Sequence, residues 1–404
     1  MYPLECTEKK LTRLKDRIEK GEQVRILIAG LGSVGSYLLD YLINLNDSNV
    51  EILVVGRKLE HLEKTVNIVK TAACIRGSLA SKISMKVVDL GHPREIADLL
   101  YATKPDFLVN SSRAYSGLKY GTISWHQIRA YGLWAPLSVK YIKNIMHACG
   151  EMDSPPVVIN TSYSDATNRW VGTAGLPTPD FGSGNLNHLV PRIKFAVSKT
   201  LGVQNLKRID VTLATSHFHD VLISKEGRTE GVDPLARIEV DGQTVDLDWG
   251  KIYSMCAISM PTDYTRNMMN ASSNFEIFTK SLEAIRCRSC QKFHSPGVAG
   301  LLGGYPIQVD FSPSSTSGAR VSIYEKHFSY EDMAENNRLS FYLDGIQEVE
   351  AGSLVFTDEL LLKVKKAFGC NLPKRVHIDD SEAVADQLIQ EILEPQSMLT
   401  LKIT

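Results

Sequence analysis

The chain has 404 residues, 43% of them hydrophobic and 23% charged, with a formal net charge of −1. That length suffices for two or three domains with real cores, and the near-neutral balance leaves no global field to draw the chain to nucleic acid or an anionic membrane. Seven cysteines, an odd number spread thinly, fit free thiols in a reducing compartment better than a disulfide framework.

The opening residues are polar, carry both charge signs and lack the apolar core of a signal peptide. No apolar run reaches the roughly 18 residues of a membrane-spanning candidate. The cytoplasm is therefore the expected location, with no membrane partner. Leu11, Leu14 and Ile18 recur at helical spacing, which predicts an amphipathic leading helix within residues 1–21, a packing arm or an oligomer contact.

The stretch from Val24 to Ala29 is an apolar run of strand length, and it stops at Gly30, Gly32 and Gly35, spaced G-x-G-x-x-G. Leu38, Leu39, Leu42 and Ile43 then recur with helical period. In a βαβ unit the first glycine permits the tight turn, the second lets the backbone approach a pyrophosphate, and the third allows close helix–strand packing. Ser33 and Val34, at the start of the helix, would offer N–H groups to phosphate. A dinucleotide cofactor is thus expected here.

A second strand follows at Val50–Val55. NAD-preferring units place a carboxylate near this strand end for the ribose hydroxyls, whereas this chain has Gly56-Arg57-Lys58. A small residue followed by two cations would receive a 2′-phosphate, so NADP is favoured, with NAD as the alternative. A third strand is predicted around residues 83–90, a helix opens at Pro93, and a fourth strand ends in Asn110, Ser111 and Ser112. The latter three are candidates to line the cofactor, as is Asn160 at the end of a fifth strand. Between these two strands, the tyrosine- and glycine-rich residues 113–135 suggest a mobile loop over a ligand.

Two resemblances emerge. GLGSVG, GRKLEHLEK and the VVDL…PDFLVNSS pattern resemble the cofactor domain of saccharopine-dehydrogenase-like proteins. Over roughly residues 105–220 the order NSSRA, VVINTSYSDATN, GSGNLNHLVPR and TLATSHFHD is similar to the lactate and malate dehydrogenase group. The latter resemblance implies hydride transfer between a nicotinamide and a carbonyl carbon. A histidine exchanges the proton, an aspartate orients it, and arginines hold the substrate carboxylate. By position His217 matches the histidine, with His219 second. Asn187 stands where that group has the aspartate; it would orient an imidazole by hydrogen bonding but stabilise an imidazolium less than a carboxylate does, and Asp220 or Asp165 are the substitutes. Arg192 matches the anchoring arginine, and Arg113, Lys119 or Arg129 would supply a second clamp.

Beyond residue 220 the pattern turns antiparallel. Residues 236–247 alternate around Asp241-Gly242, a strong hairpin signal, and further strands are predicted at 305–311 and 319–324. Helices are predicted near 274–285, 329–337, 357–368 and 380–393. Cys287, Cys290 and His294 have ligand-like spacing but lack a second Cys/His pair, so no metal is assigned.

The sequence thus predicts an α/β chain. A Rossmann doubly wound parallel sheet over residues 22–165 precedes an α+β substrate domain with antiparallel strands over 166–404. The expected function is an NADP-preferring oxidoreductase acting on a carbonyl or imine of a small, polar, carboxylate-bearing substrate, in a homo-oligomer that binds no nucleic acid. Saccharopine- or opine-type C–N chemistry is one alternative, and a non-catalytic NADP-binding scaffold or redox sensor is another.

Overall fold

A computed structural model describes residues 4–78, 80–115, 117–314 and 319–396. Helix α1 (Glu5–Glu19) leads into β1 (Val24–Ala29), α2 (Ser33–Asn44), β2 (Val50–Gly56), α3 (Leu59–Arg76), β3 (Lys82–Val87), α4 (Pro93–Thr103) and β4 (Phe107–Asn110). Then come α5 (Gly117–Ile123), α6 (Ala135–Gly150), β5 (Val157–Asn160), α7 (Ser164–Thr173) and β6 (Phe181–Gly182). The six strands form one parallel sheet in the order 3-2-1-4-5-6. β1, β2, β4 and β5 read as continuous apolar runs because helices cover both their faces. The order reverses direction between β1 and β4, which opens a crevice at their carboxyl ends. β6 lies past residue 165, where the sequence suggested the sheet would end.

The second half begins with α8 (Asn185–Leu201), β7 (Ile209–Ala214), α9 (His217–Glu226), β8 (Leu235–Val240), β9 (Gln243–Val245), α10 (Trp249–Cys256) and α11 (Asn267–Arg286). β7, β8 and β9 form an antiparallel sheet, and the β8–β9 turn places Asp241 and Gly242 at φ of 51° and 78°, as the Asp-Gly pair predicts. A second antiparallel sheet joins β10 (Cys290–Pro296), β11 (Gly304–Asp310) and β12 (Val321–Ile323). After α12 (Tyr330–Leu343), a third contains β13 (Ile346–Glu350), β14 (Ser353–Phe356) and, beyond α13 (Asp358–Phe368), β15 (Arg375–His377). α14 (Ser381–Leu388) follows.

The sequence predicted helices in this last region and none of its strands. The strands are short, and their hairpin turns on Ala351-Gly352, both at positive φ, a weaker signal than Asp-Gly. β10 was equally hidden behind the cysteine spacing. Its His294 is buried and accepts the Leu213 N–H at Nε2, whereas Cys290 is exposed.

The halves interlock. Phe341, Ile346, Leu354, Phe356 and Leu388 from the chain's end join Leu100, Trp134, Ile142 and Trp170 in the core on one face of the parallel sheet. α1 acts as a packing arm on the other face through Leu11 and Leu14, with Leu4 just before it. It is fixed by a buried ion pair, Lys10 Nζ to Asp180 at 2.7 Å, with Thr7 donating to the same carboxylate.

Residues 113–135 are not an open loop. They form α5, a π turn at Ser124–Ile128 and a short 3-10 turn at Gly132–Trp134, because Trp125, Ile128, Leu133 and Trp134 are buried. Ser116 and the side chain of Lys119 lie outside the described residues.

Candidate active site

The β1–α2 turn is shaped by its glycines. Gly30 sits at φ 96°, and a Cβ there would lie 2.8 Å from Ser112 Cβ. A Cβ on Gly35 would lie 2.2 Å from the Gly30 carbonyl oxygen, so a side chain would push α2 off β1. At Gly32, by contrast, a Cβ would meet nothing within 4 Å, and no side chain caps the helix. The Ser36 N–H bonds the Gly32 carbonyl, which leaves the N–H groups before it available to an anion. Crowding at Gly30 and Gly35 with open space at Gly32 fits a bound pyrophosphate.

Two cavities of about 340 and 320 Å³ meet at this turn and share Gly32, Ser111 and Arg113. Their sizes are those of small-molecule sites. Ser33 and Val34 line the larger one, and Ser33 also accepts from Asn267 of α11 at 2.6 Å. Gly30, Gly56, Arg57, Lys58 and Ser112 line the smaller one. Arg57 and Lys58 are exposed there and form no ion pair among the described residues.

Asn110 and Asn160 lie deeper. Asn110 donates to Asn160 Oδ1 at 2.9 Å and accepts from the Ser112 N–H and hydroxyl. Asn160 in turn donates to Thr167 Oγ1 and Asn168 Oδ1 and accepts the Ser162 N–H. Neither lines the cavities. They tie the strand ends together beneath the groove at the β1–α2 turn, whereas the sequence suggested that they line the cofactor.

His217 stands in the larger cavity at the first turn of α9. Its backbone N–H donates to Asp165 Oδ2 at 2.9 Å, and its Nδ1 pairs with Asp344 Oδ2 at 3.2 Å. Tyr131 and Tyr163 meet the ring edge-on, with centroids at 4.7 and 5.0 Å. Asp344 is fully buried at the C-cap of α12, an unfavourable place for a carboxylate in the helix field. Instead it is held by donors: the Tyr131 N–H at 2.7 Å, the Tyr163 hydroxyl at 2.7 Å and His217. Burial favours the neutral imidazole, but the Asp344 hydrogen bond and the charges of Asp344, Asp165 and Asp220 outweigh it and raise the pKa of His217. Nε2 has no hydrogen-bond partner among the described residues, so it is the ring atom left for a ligand.

The other sequence candidates divide. His219 is buried with both ring nitrogens engaged, Nδ1 with Ser340 Oγ at 2.7 Å and Nε2 with the Glu230 carbonyl at 2.9 Å, and it does not line the cavity. Asn187 does not reach His217. It donates to the His294 carbonyl at 2.9 Å, and the group paired with the His217 ring is the Asp344 carboxylate, not Asn187, Asp220 or Asp165. Arg192 does line the cavity, with one terminal nitrogen on the Cys256 carbonyl and the other on Met260 Sδ. Arg113 lines both cavities, whereas Arg129 turns away to Glu226 and Glu230.

No family model matches the chain, and no curated protein matches it in sequence. Solved structures do resemble it. The malate dehydrogenase of Cryptosporidium parvum superposes with a TM-score of 0.52 at 11% identity, covering 80% of this chain and 96% of that one. The malate dehydrogenase from Aeropyrum pernix gives 0.52 at 13% identity, covering 79% and 97%. The likeness is one of fold. It accounts for nearly the whole of each neighbour and leaves about a fifth of this chain outside the match.

Three residues of the site escaped the sequence reading, two that line the cavity and one buried behind His217. Asp344 is separated from His217 by 127 positions, and no spacing rule links them. Arg266 lines the cavity with no ion pair among the described residues, yet nothing distinguishes it from a surface arginine in sequence. His188 sits one residue beyond the Asn-Leu-Asn word that drew attention to Asn187. Burial, then the charges of Arg266 and Arg192, push its pKa down to about 3, so it is neutral.

Proposed function

We propose that the chain is an NADP-preferring oxidoreductase that exchanges a hydride between a nicotinamide cofactor and the carbonyl carbon of a small, carboxylate-bearing substrate. The observation that carries this reading is His217, paired through Nδ1 with buried Asp344 and presented in a cavity continuous with the glycine turn. A bound reduced nicotinamide would supply the hydride. His217 gives the nascent alkoxide its proton from Nε2, and Asp344 stabilises the imidazolium before the transfer. In the reverse direction the neutral ring takes the hydroxyl proton. Tyr131 and Tyr163 hold the ring plane, which fixes where that proton goes. Arg266, Arg192 and Arg113 line the same cavity and are the cations available to the carboxylate. Arg57 and Lys58, with no acidic residue at the end of β2, support preference for the 2′-phosphate.

The test is binding of NADPH and NADH followed by nucleotide oxidation with a panel of 2-oxo acids. The expected result is tighter NADPH binding and turnover that falls about 10²–10⁴-fold in His217→Asn with NADPH affinity retained. Undiminished turnover in that variant, or failure of both nucleotides to bind, overturns the reading. Opine- or saccharopine-type C–N chemistry is the second reading. It is favoured by Asp165 and Asp220, whose carboxyls burial raises to about 6 and about 7 beside His217. NADPH oxidation that needs an amine together with the 2-oxo acid would select it.

A further inference from the structure

Nine buried side-chain polar atoms lack a hydrogen-bond partner among the described residues, and four of them belong to residues that line one cavity: His188 Nε2, Arg192 Nε, Asp220 Oδ1 and Ser224 Oγ. The four come from two helices. His188 and Arg192 are four residues apart on α8, and Asp220 and Ser224 are four apart on α9, so each pair shares one helix face. Unpaired buried groups are rare because each forfeits its hydration without recompense. Four concentrated on one cavity wall indicate a surface completed by a ligand.

Their chemistry defines what is missing. Asp220, 3% exposed, offers an oxygen acceptor. His188 is held neutral, and with the Met269 backbone favouring its proton on the other nitrogen, Nε2 is left as an acceptor. The Ser224 hydroxyl accepts as well. A substrate carrying only carboxylates would occupy Arg192 and Arg266 and leave three acceptors unmet. A primary ammonium supplies three donors.

We propose that the α8–α9 wall is a recognition site for a primary ammonium group, and that the substrate is an amino acid or a derivative retaining a free amino group beside its carboxylate. Asp220, His188 and Ser224 receive the ammonium, while Arg192 and Arg266 face the carboxylate. This deepens the dehydrogenase reading and rests on it for the reacting carbon, but the wall binds the amino group as a handle and takes no part in hydride transfer.

The experiment is titration calorimetry on the full chain at pH 8, with and without saturating NADPH. The probes are L-alanine, L-glutamate, L-phenylalanine and L-lysine, each against the matching acid lacking the α-amino group: propionate, glutarate, 3-phenylpropionate and 6-aminohexanoate. At least one amino acid is expected to bind tenfold or more tightly than its partner. Asp220→Asn should erase that difference, and Ser224→Ala, a milder change, should reduce it several-fold. A circular-dichroism melt establishes that each variant is folded. No preference in any pair, or a preference unchanged in both variants, overturns the assignment. Loss of NADPH binding with the amine preference intact would instead sink the dehydrogenase reading and leave the subsite standing.

Discussion

Two buried polar regions lie within the same fold and behave in opposite ways. Under the groove at the β1–α2 turn, Asn110 and Asn160 form a closed network in which each side chain both donates and accepts. On the α8–α9 wall, His188, Arg192, Asp220 and Ser224 each present an atom with no partner. The first arrangement completes itself and therefore supports the fold; the second is incomplete and therefore points to a ligand. Residue type alone does not separate the two, since asparagines at strand ends suggest cofactor contact and a histidine or serine on a helix suggests little.

The largest effect is expected at Asp344, where the two kinds of region meet. Its carboxylate has a full set of donors, yet one of them is the histidine whose other nitrogen faces the cavity. Asp344→Asn should lower turnover about 10²–10⁴-fold while leaving NADPH affinity in place. The pH profile gives an independent readout. Carbonyl reduction needs protonated His217, so activity declines as pH rises through its raised pKa, and in the variant that decline should move to lower pH. A profile that loses amplitude without moving would show Asp344 to be structural alone. The closed network should fail differently. Asn160→Ala strips partners from Asn110, the Ser162 N–H, Thr167 and Asn168 at once and leaves a small void. Urea titration should show a loss of about 3–5 kcal/mol. A loss under 1 kcal/mol would mean the network is not closed.

How much of this was legible in sequence follows from the range of the interactions. Gly30, Gly32 and Gly35 act on a turn six residues long, and β1, β2, β4 and β5 follow apolar runs of strand length, so both could be read locally. The hairpin at Asp241-Gly242 was readable for the same reason. Asp344 was not, because its relation to His217 depends on the C-terminal strands and α12 folding back over residues 131–163. Those strands were themselves missed, being short and turned on Ala351-Gly352. The lactate/malate resemblance led to His217 through its position after a strand, but it also directed attention to Asn187, whose amide is spent on the His294 carbonyl. His219 shows the limit most plainly. Two residues from His217 on the same helix, it points to Ser340 and Glu230 instead of the cavity, a difference of helical phase that a motif does not record.

The smallest effect separates the regions by sign. Burial raises the Asp220 carboxyl from an ordinary value of 3.8 to about 7. The folded chain then holds this proton more tightly than the unfolded chain, so the stability cost of Asp220 grows as pH rises from about 4 to about 7 and stays constant above that. Asn at this position cannot ionise. Asp220→Asn should therefore be more stable than the parent at pH 8, by about 1–2 kcal/mol, with the difference vanishing towards pH 4. In Asn160→Ala the change is a loss at every pH. Should Asp220→Asn instead be destabilised at pH 8 to the same degree, Asp220 has an internal partner and the α8–α9 wall is as closed as the asparagine network. A gain in stability joined to a loss of amine binding would mark this wall as one whose unpaired groups are held for a ligand at the expense of the empty fold.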